Sequence, residues 1–170
     1  MSHSLVLGMT ESGKTTLAKQ LVQTYKAAGI KTIVLDPLHD PKWYADYQTD
    51  EPENFLTTLW SSRSCAVFID EAGDMVGRYD DVMIKTATRG RHWGHSLHYL
   101  SQRGTLLNRT VRDQCSHIFL FTSSFEDCKI HANEWNKPAL KDGYLLPQGV
   151  CFHATRYGDL EKINVFSPVT

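Results

Sequence analysis

Near the start of the chain, Gly8-Met9-Thr10-Glu11-Ser12-Gly13-Lys14-Thr15 has the spacing GxxxxGK[ST]. That pattern suits polyphosphate chemistry. Backbone amides of such a loop converge on phosphate oxygens, and the helix that follows adds the positive end of its dipole. Gly8 and Gly13 permit the turn and the close approach. In this reading Lys14 bridges the β- and γ-phosphates, Thr15 places its hydroxyl on Mg²⁺, and Thr10, Glu11, Ser12 and Thr16 complete the nucleotide-binding segment.

A second element supplies carboxylates. The apolar run Ala66-Val67-Phe68-Ile69 ends in Asp70-Glu71. A strand that delivers Asp70 beside the phosphates lets it hold the Mg²⁺ shell, and Glu71 directly after it can orient and deprotonate a water for attack on the γ-phosphate. Gln102 ends another apolar run; if its strand lies between those of the phosphate loop and Asp70, the amide can position water or sense the γ-phosphate. A surface glutamine at a strand end is the plainer alternative. Asp36, after a further strand, has no firm role: it is placed at the same edge, but a helix cap is an equal reading.

From Lys85 to Arg112 the basic residues are Lys85, Arg89, Arg91, Arg103, Arg109 and Arg112, with no acid between them. Such a cluster can provide an arginine finger or neutralise nucleic-acid phosphates, against the alternative of solvated helix and loop faces. Asn136-Lys137-Pro138-Ala139 lacks the base-reading acid of a guanine-specific NKxD signature, which leaves ATP as the expected nucleotide.

The elements that must position these groups alternate. Strand patterns at 4–7, 31–35, 65–69, 96–100 and 117–121 are interleaved with helix patterns at 14–28, 53–61, 82–92, 109–115 and 125–135. This predicts an α/β domain with a mainly parallel sheet. The polar segment 39–53, broken by Pro41 and Pro52, reads as a loop, and 150–166 reads as a C-terminal β-hairpin turning at Gly158-Asp159.

Length and composition fit one domain over residues 1–170: 41% of the residues are apolar, enough for a real core. Eighteen Lys and Arg against nineteen Asp and Glu give a net charge of −1. The chain is no polybasic binder, so nucleic-acid contact must be local. No apolar run approaches the roughly 18 residues that span a bilayer, and the start lacks signal-peptide features. Cys65, Cys115, Cys128 and Cys151 form no CxxC pair and read as buried free thiols. His92, His95 and His98 read as core or surface residues rather than a zinc site.

Taken together, GMTESGKT, CAVFIDEAG and GRHWGHSLHYLSQRGTLLNRTVRDQC resemble the FtsK and HerA type of P-loop ATPase. The resemblance runs over about residues 4–122 and is greatest to the genome-packaging ATPases of membrane-containing icosahedral viruses. It implies a P-loop NTPase fold of the RecA/ASCE kind and a homo-oligomeric ring, expected to be a hexamer, that hydrolyses ATP to push double-stranded DNA into a capsid. Carried onto this sequence, it implies Lys14 and Thr15 for nucleotide and Mg²⁺, Asp70 for Mg²⁺, Glu71 as base, Gln102 as sensor, and Arg91 or Arg89 as a trans-acting finger. DNA would be held by the face from Lys85 to Arg112, capsid or virion vertex proteins would hold the motor, and the expected location is host cytoplasm or virion. The sequence shows no membrane anchor and no separate DNA-binding domain. A nucleotide or small-molecule kinase with Arg103, Arg109 and Arg112 in a lid, a nucleotide-dependent assembly switch, and an assembly ATPase of filamentous-phage or conjugation type are the competing readings.

Overall fold

Strands that are apolar without alternation must be covered on both faces, and this requirement organises the chain. The computed structural model describes residues 2–75 and 80–167. Its strands are β1 (His3–Leu7), β2 (Thr32–Leu35), β3 (Tyr47–Thr49), β4 (Ala66–Ile69), β5 (Ser96–Ser101), β6 (Cys115–Leu120), β7 (Val150–Thr155) and β8 (Leu160–Asn164). β1, β2, β4 and β5 are buried at every position. They lie in one sheet of order β3-β2-β4-β5-β1-β6-β7-β8, parallel from β3 through β6 and antiparallel where β7 and β8 join. The fold is a mainly parallel α/β sheet with a C-terminal hairpin, as the sequence predicts.

Among the described residues five α-helices cover the sheet: α1 (Lys14–Ala27), α2 (Pro52–Ser61), α3 (Asp80–Arg89), α4 (Arg109–Gln114) and α5 (Phe125–Trp135). Alternate strand residues divide the core in two. Leu5, Leu7, Ile33, Leu35, Val67, Ile69, Leu97 and Tyr99 pack with Phe55 and Leu59 of α2, Met83 and Ala87 of α3, Val111 of α4, and Ala132 and Trp135 of α5. On the other face Val6, Val34, Phe68 and Leu100 meet Leu17, Ala18 and Val22 of α1, together with Trp43. Helix α1 therefore lies directly over the central strands, with its first turn at the sheet edge where β1 ends.

The segment 39–53 departs from the loop expectation. It contains a 3-10 turn, Pro41–Trp43, and strand β3, which extends the parallel sheet at its edge. Three residues, Tyr-Gln-Thr, are too short and too polar to carry a periodic signal; side chains hold them instead. The Asp46 carboxylate accepts from the Thr32 amide and hydroxyl at 2.9 Å each. Asp36, only 1% exposed, accepts from the amides of Leu38 and Asp40, the Trp43 indole at 3.1 Å and the Gln48 amide at 3.3 Å. These bonds make Asp36 the organiser of the loop that follows it, a role beyond the edge position and the helix cap that the sequence suggests; the cap of the 3-10 turn is Asp40. The helix expected over 82–92 ends at Arg89 and tightens into a 3-10 turn, Gly90–Trp93, before β5.

A hydrogen bond to a charged group is worth more than a neutral one, and removing the acceptor strands its buried donors. Asp36→Ala is expected to lower the unfolding free energy by about 2–4 kcal/mol. Asp36→Asn, which keeps one acceptor oxygen, should cost less. Urea denaturation followed by tryptophan emission measures both, since Trp43 is one of the stranded donors.

Candidate nucleotide-binding site

The parallel register brings separate pieces of sequence to one sheet edge. Leu7 of β1 is level with Ser101 of β5 and Leu120 of β6, and Tyr99 of β5 is level with Ile69 of β4. The carboxyl ends of β1, β2, β4 and β5 therefore present the Gly8–Lys14 loop, Asp36, the Asp70-Glu71 pair and Gln102 along a common rim. β5 lies between β1 and β4, the arrangement on which a role for Gln102 depends.

The loop is held by its backbone. The Met9 amide donates to Thr122 O at 2.9 Å, the Gly8 amide to Ser101 O at 3.3 Å, and Ser12 O accepts from the Gly149 amide at 2.9 Å. Gly8 (φ +154°) has no room for a side chain, since a Cβ there would lie 2.6 Å from the Phe121 Cβ. Gly13 at the helix start has φ +117° and supplies no side-chain cap, and the first turn of α1 carries no acid. The leading amides and the positive dipole end of α1 are left for an outside anion.

The Lys14 ammonium donates to Gly8 O at 2.5 Å and Met9 O at 3.0 Å, which folds it over the loop mouth. Burial lowers its pKa, and the charges of Glu71 and Asp70 oppose that shift. Ser12 is 3% exposed, and its hydroxyl has no protein partner among the described residues. A cleft of about 450 Å³ opens beside the loop, lined by Glu11, Ser12, Gly13, Lys14, Thr15 and Thr16 and closed by Gln148 and Phe166. Gln148 and Phe166 carried no sequence signal for a site. They arrive through β7 and β8, whose pairing returns residues 148 and 166 to the rim.

Asp70 is 6% exposed and accepts from the Glu71 amide at 2.9 Å. Burial raises its pKa to about 6; the Glu71 amide and Lys14 pull it down, while the Glu71 and Asp36 carboxylates push it up. A buried carboxylate under that pressure suits a hard divalent cation, and Mg²⁺ commonly takes one or two protein oxygens, with water and phosphate completing its shell. Asp70 and the Thr15 hydroxyl are the residues that fit it. Glu71 is half-buried in a left-handed conformation (φ +50°), a strained setting for a residue next to the acid it follows. Gln102 is exposed directly beyond β5.

The basic cluster does not form one face. Arg103 makes a bidentate pair with Asp127 at 2.9 and 3.0 Å, and Arg112, 12% exposed, binds Glu134 at 2.7 Å and the carbonyls of Gly104 and Leu107. Arg109 reaches Asp113 across one helical turn. The expectation of a continuous DNA-binding surface from Lys85 to Arg112 is thus corrected: Arg103 ties the end of β5 to α5 and Arg112 ties α4 to α5, each through an acid outside the interval. Lys85, Arg89 and Arg91 are exposed. Arg89 ends α3 and Arg91 follows in the 3-10 turn that feeds the amino end of β5, so both lie at the sheet edge opposite the phosphate loop; the Arg91 guanidinium donates to Gln114 O there. The ring nitrogens of His95 are occupied by the Cys65 amide and Leu59 O, and those of His98 by Ser4 and Tyr25. All four cysteines are free and buried.

An acid whose folded pKa exceeds its unfolded value is bound to its proton more tightly in the native state, so stability falls as pH rises between the two values. For Asp70 that window runs from about 4 to about 6. In nucleotide-free, magnesium-free protein, Asp70→Asn is expected to be more stable than the parent above pH 6, by on the order of 1–3 kcal/mol, and to lose the advantage below pH 4. Chemical denaturation at pH 4, 6 and 8 measures this; an advantage that does not grow with pH would place the proton elsewhere.

No family model and no curated protein matches the chain. Solved structures do. The genome packaging NTPase B204 of Sulfolobus turreted icosahedral virus 2, solved with AMPPCP, superposes with a TM-score of 0.79 at 18% identity, over 99% of this chain and 98% of its own. VirB4 of Thermoanaerobacter pseudethanolicus gives 0.76 at 11% identity over 98% and 89%. The cytoplasmic domain of the type VII secretion ATPase EccC of Thermomonospora curvata gives 0.74 at 15% identity, over 96% of this chain and 25% of its own. At these identities the likeness is one of fold, and the chain is by fold a P-loop NTPase, in line with its resemblance to the FtsK and HerA type of ATPase.

Proposed function

We propose that the protein is a magnesium-dependent ATPase that works as a homo-oligomeric ring, expected to be a hexamer, and moves double-stranded DNA into a viral capsid. One observation carries the reading. The uncapped start of α1 with Lys14 and the buried Asp70 followed by Glu71 share one rim, while Arg89 and Arg91 lie at the opposite edge. The rim can bind a triphosphate by itself; the arginines can reach one only in another copy.

In this mechanism the backbone amides of Gly13, Lys14 and Thr15 cradle the phosphates, and Lys14 leaves the carbonyls of Gly8 and Met9 to bridge the β- and γ-phosphates. Thr10, Glu11, Ser12 and Thr16 belong to the same cradle, and the Ser12 hydroxyl is a buried donor that a phosphate oxygen would satisfy. Mg²⁺ held by Thr15 and Asp70 would neutralise charge between the phosphates. Glu71 takes the proton of the attacking water and Gln102 orients that water. Arg91, or Arg89, completes the charge stabilisation from the neighbouring subunit, a contribution worth about 10³–10⁵ in rate where such fingers operate.

Support for the substrate comes from the neighbouring structures, which include B204 with AMPPCP, with AMP and with ATP-gammaS. Support for DNA comes from B204 of Sulfolobus Turreted Icosahedral Virus, described as a DNA-packaging ATPase. The DNA grip falls to the exposed Lys85 and Arg89, with Arg109 beside its weak ion pair. The kinase reading loses its lid, because Arg103 and Arg112 are tied to Asp127 and Glu134. Capsid or virion vertex proteins are the remaining partners of the proposal, and host cytoplasm or virion its location. No described helix is long and apolar enough to cross a membrane.

Glu71→Gln is expected to keep ATP affinity and lose turnover by about 10²–10⁴, the usual worth of a general base. Arg91→Ala should lose turnover without losing affinity. Turnover per subunit of the parent should climb with protein concentration and with long duplex DNA. Hydrolysis independent of both would exclude the ring motor, and full function of Glu71→Gln would favour an assembly switch.

A further inference from the structure

The cleft beside the phosphate loop has an aromatic wall that the phosphate chemistry does not use. Phe166 is 55% exposed, yet it is fixed from behind. A Cβ on Gly149 would fall 2.1 and 2.4 Å from its ring atoms Cδ2 and Cε2, so the ring lies directly on the Gly149 backbone. Gly149 has φ +82° and donates its amide to Ser12 O, in the phosphate loop itself. Its carbonyl accepts from the Val165 amide at 2.8 Å, and the Val165 carbonyl accepts from Gln20 of α1 at 2.8 Å. The Phe166 amide donates to the Asn164 side chain at 3.0 Å. The ring is held on a backbone that is hydrogen-bonded to the loop, with its exposed part bordering the cleft.

An apolar ring kept rigid and partly wet at the rim of a polar cleft is a surface that a flat, partly apolar ligand group would cover. The cleft continues from the cradle residues Ser12–Thr16 to this ring. Gln148, the other wall, is held by its own bond to Glu11 O at 2.8 Å. A nucleotide whose phosphates occupy the cradle has one flat aromatic part, its base. We propose that Phe166 is the platform on which the nucleotide base stacks, a reading that rests on the proposed nucleotide site and adds its second half.

Stacking of a base on an aromatic side chain is lost on truncation to alanine, with a weakening of roughly 5- to 100-fold. The test compares two ligands, Mg-ATP and inorganic tripolyphosphate with Mg²⁺, by calorimetry. Phe166→Ala is expected to weaken ATP by that factor and tripolyphosphate by less than about twofold, since the cradle is untouched. In Phe166→Trp, which restores the platform, ATP affinity should return and ATP, but not tripolyphosphate, should quench the added indole emission. An equal effect of Phe166→Ala on both ligands, no effect on either, or an indole blind to ATP would overturn the assignment. If the unaltered protein binds neither ligand, the nucleotide site itself fails and the base platform falls with it. Tripolyphosphate binding with a Phe166-independent ATP affinity would remove the platform alone.

Discussion

Six parallel strands must all end at the same edge, and every candidate group at the phosphate rim depends on that constraint. The acids at 70 and 71 are far in sequence from Lys14, and Gln102 is farther. They meet only because β4, β5 and β1 are neighbours in register. Electrostatics records the meeting: Lys14 and Asp70 each appear among the influences on the other's proton affinity. Carboxylates crowd this edge, with Asp70 buried near Glu71 and Asp36, and the Lys14 ammonium is turned onto backbone carbonyls. A divalent cation and a polyphosphate would relieve both at once, since each supplies the charge that the other side lacks.

The opposite edge shows the complementary side of the same constraint. Helix α3 leaves the rim after β4 and runs back across the sheet, so that Arg89 and Arg91 emerge where β5 begins. A side chain there is a sheet's length from its own phosphate loop. In the proposed mechanism, any chemistry assigned to it at a γ-phosphate would need a second molecule, so hydrolysis would depend on assembly. The near-neutral total charge fits that division, because neither edge relies on a global field to hold its ligand.

Much of this was legible in the sequence. The glycine loop, the apolar strand ending in two acids and the alternation of elements are strong local patterns, whereas the strand order, on which the place of Gln102 hangs, is seen only in the structure. Three other things were not legible. Strand β3 is three residues held by Asp46 and Asp36 through long-range bonds, which no window of sequence displays. The run of basic residues from Lys85 to Arg112 looked unopposed because its acids, Asp127 and Glu134, lie on the following helix. Charge balance in space is not charge balance along the chain. Gln148 and Phe166 were invisible for a related reason: nothing marks them until the hairpin carries them back to the loop.

That return of the hairpin bears on how the loop works. Phosphate loops need backbone amides aimed at a common point, and a loop with this many glycines has much conformational freedom to lose. Here the restraint is tertiary. Thr122 and Ser101 hold the loop's entry, and Gly149 holds Ser12 at its far side. A Cβ on Gly13 would meet Gly149 Cα and Val165 Cγ2 at 3.2 Å, so the hairpin is packed against the very residue that starts α1. The C-terminal strands therefore act on the cradle by fixing its shape before any ligand arrives, which reduces the ordering that binding must accomplish. Loosening the hairpin should then weaken phosphate and base binding together, whereas trimming the Phe166 ring touches the base alone.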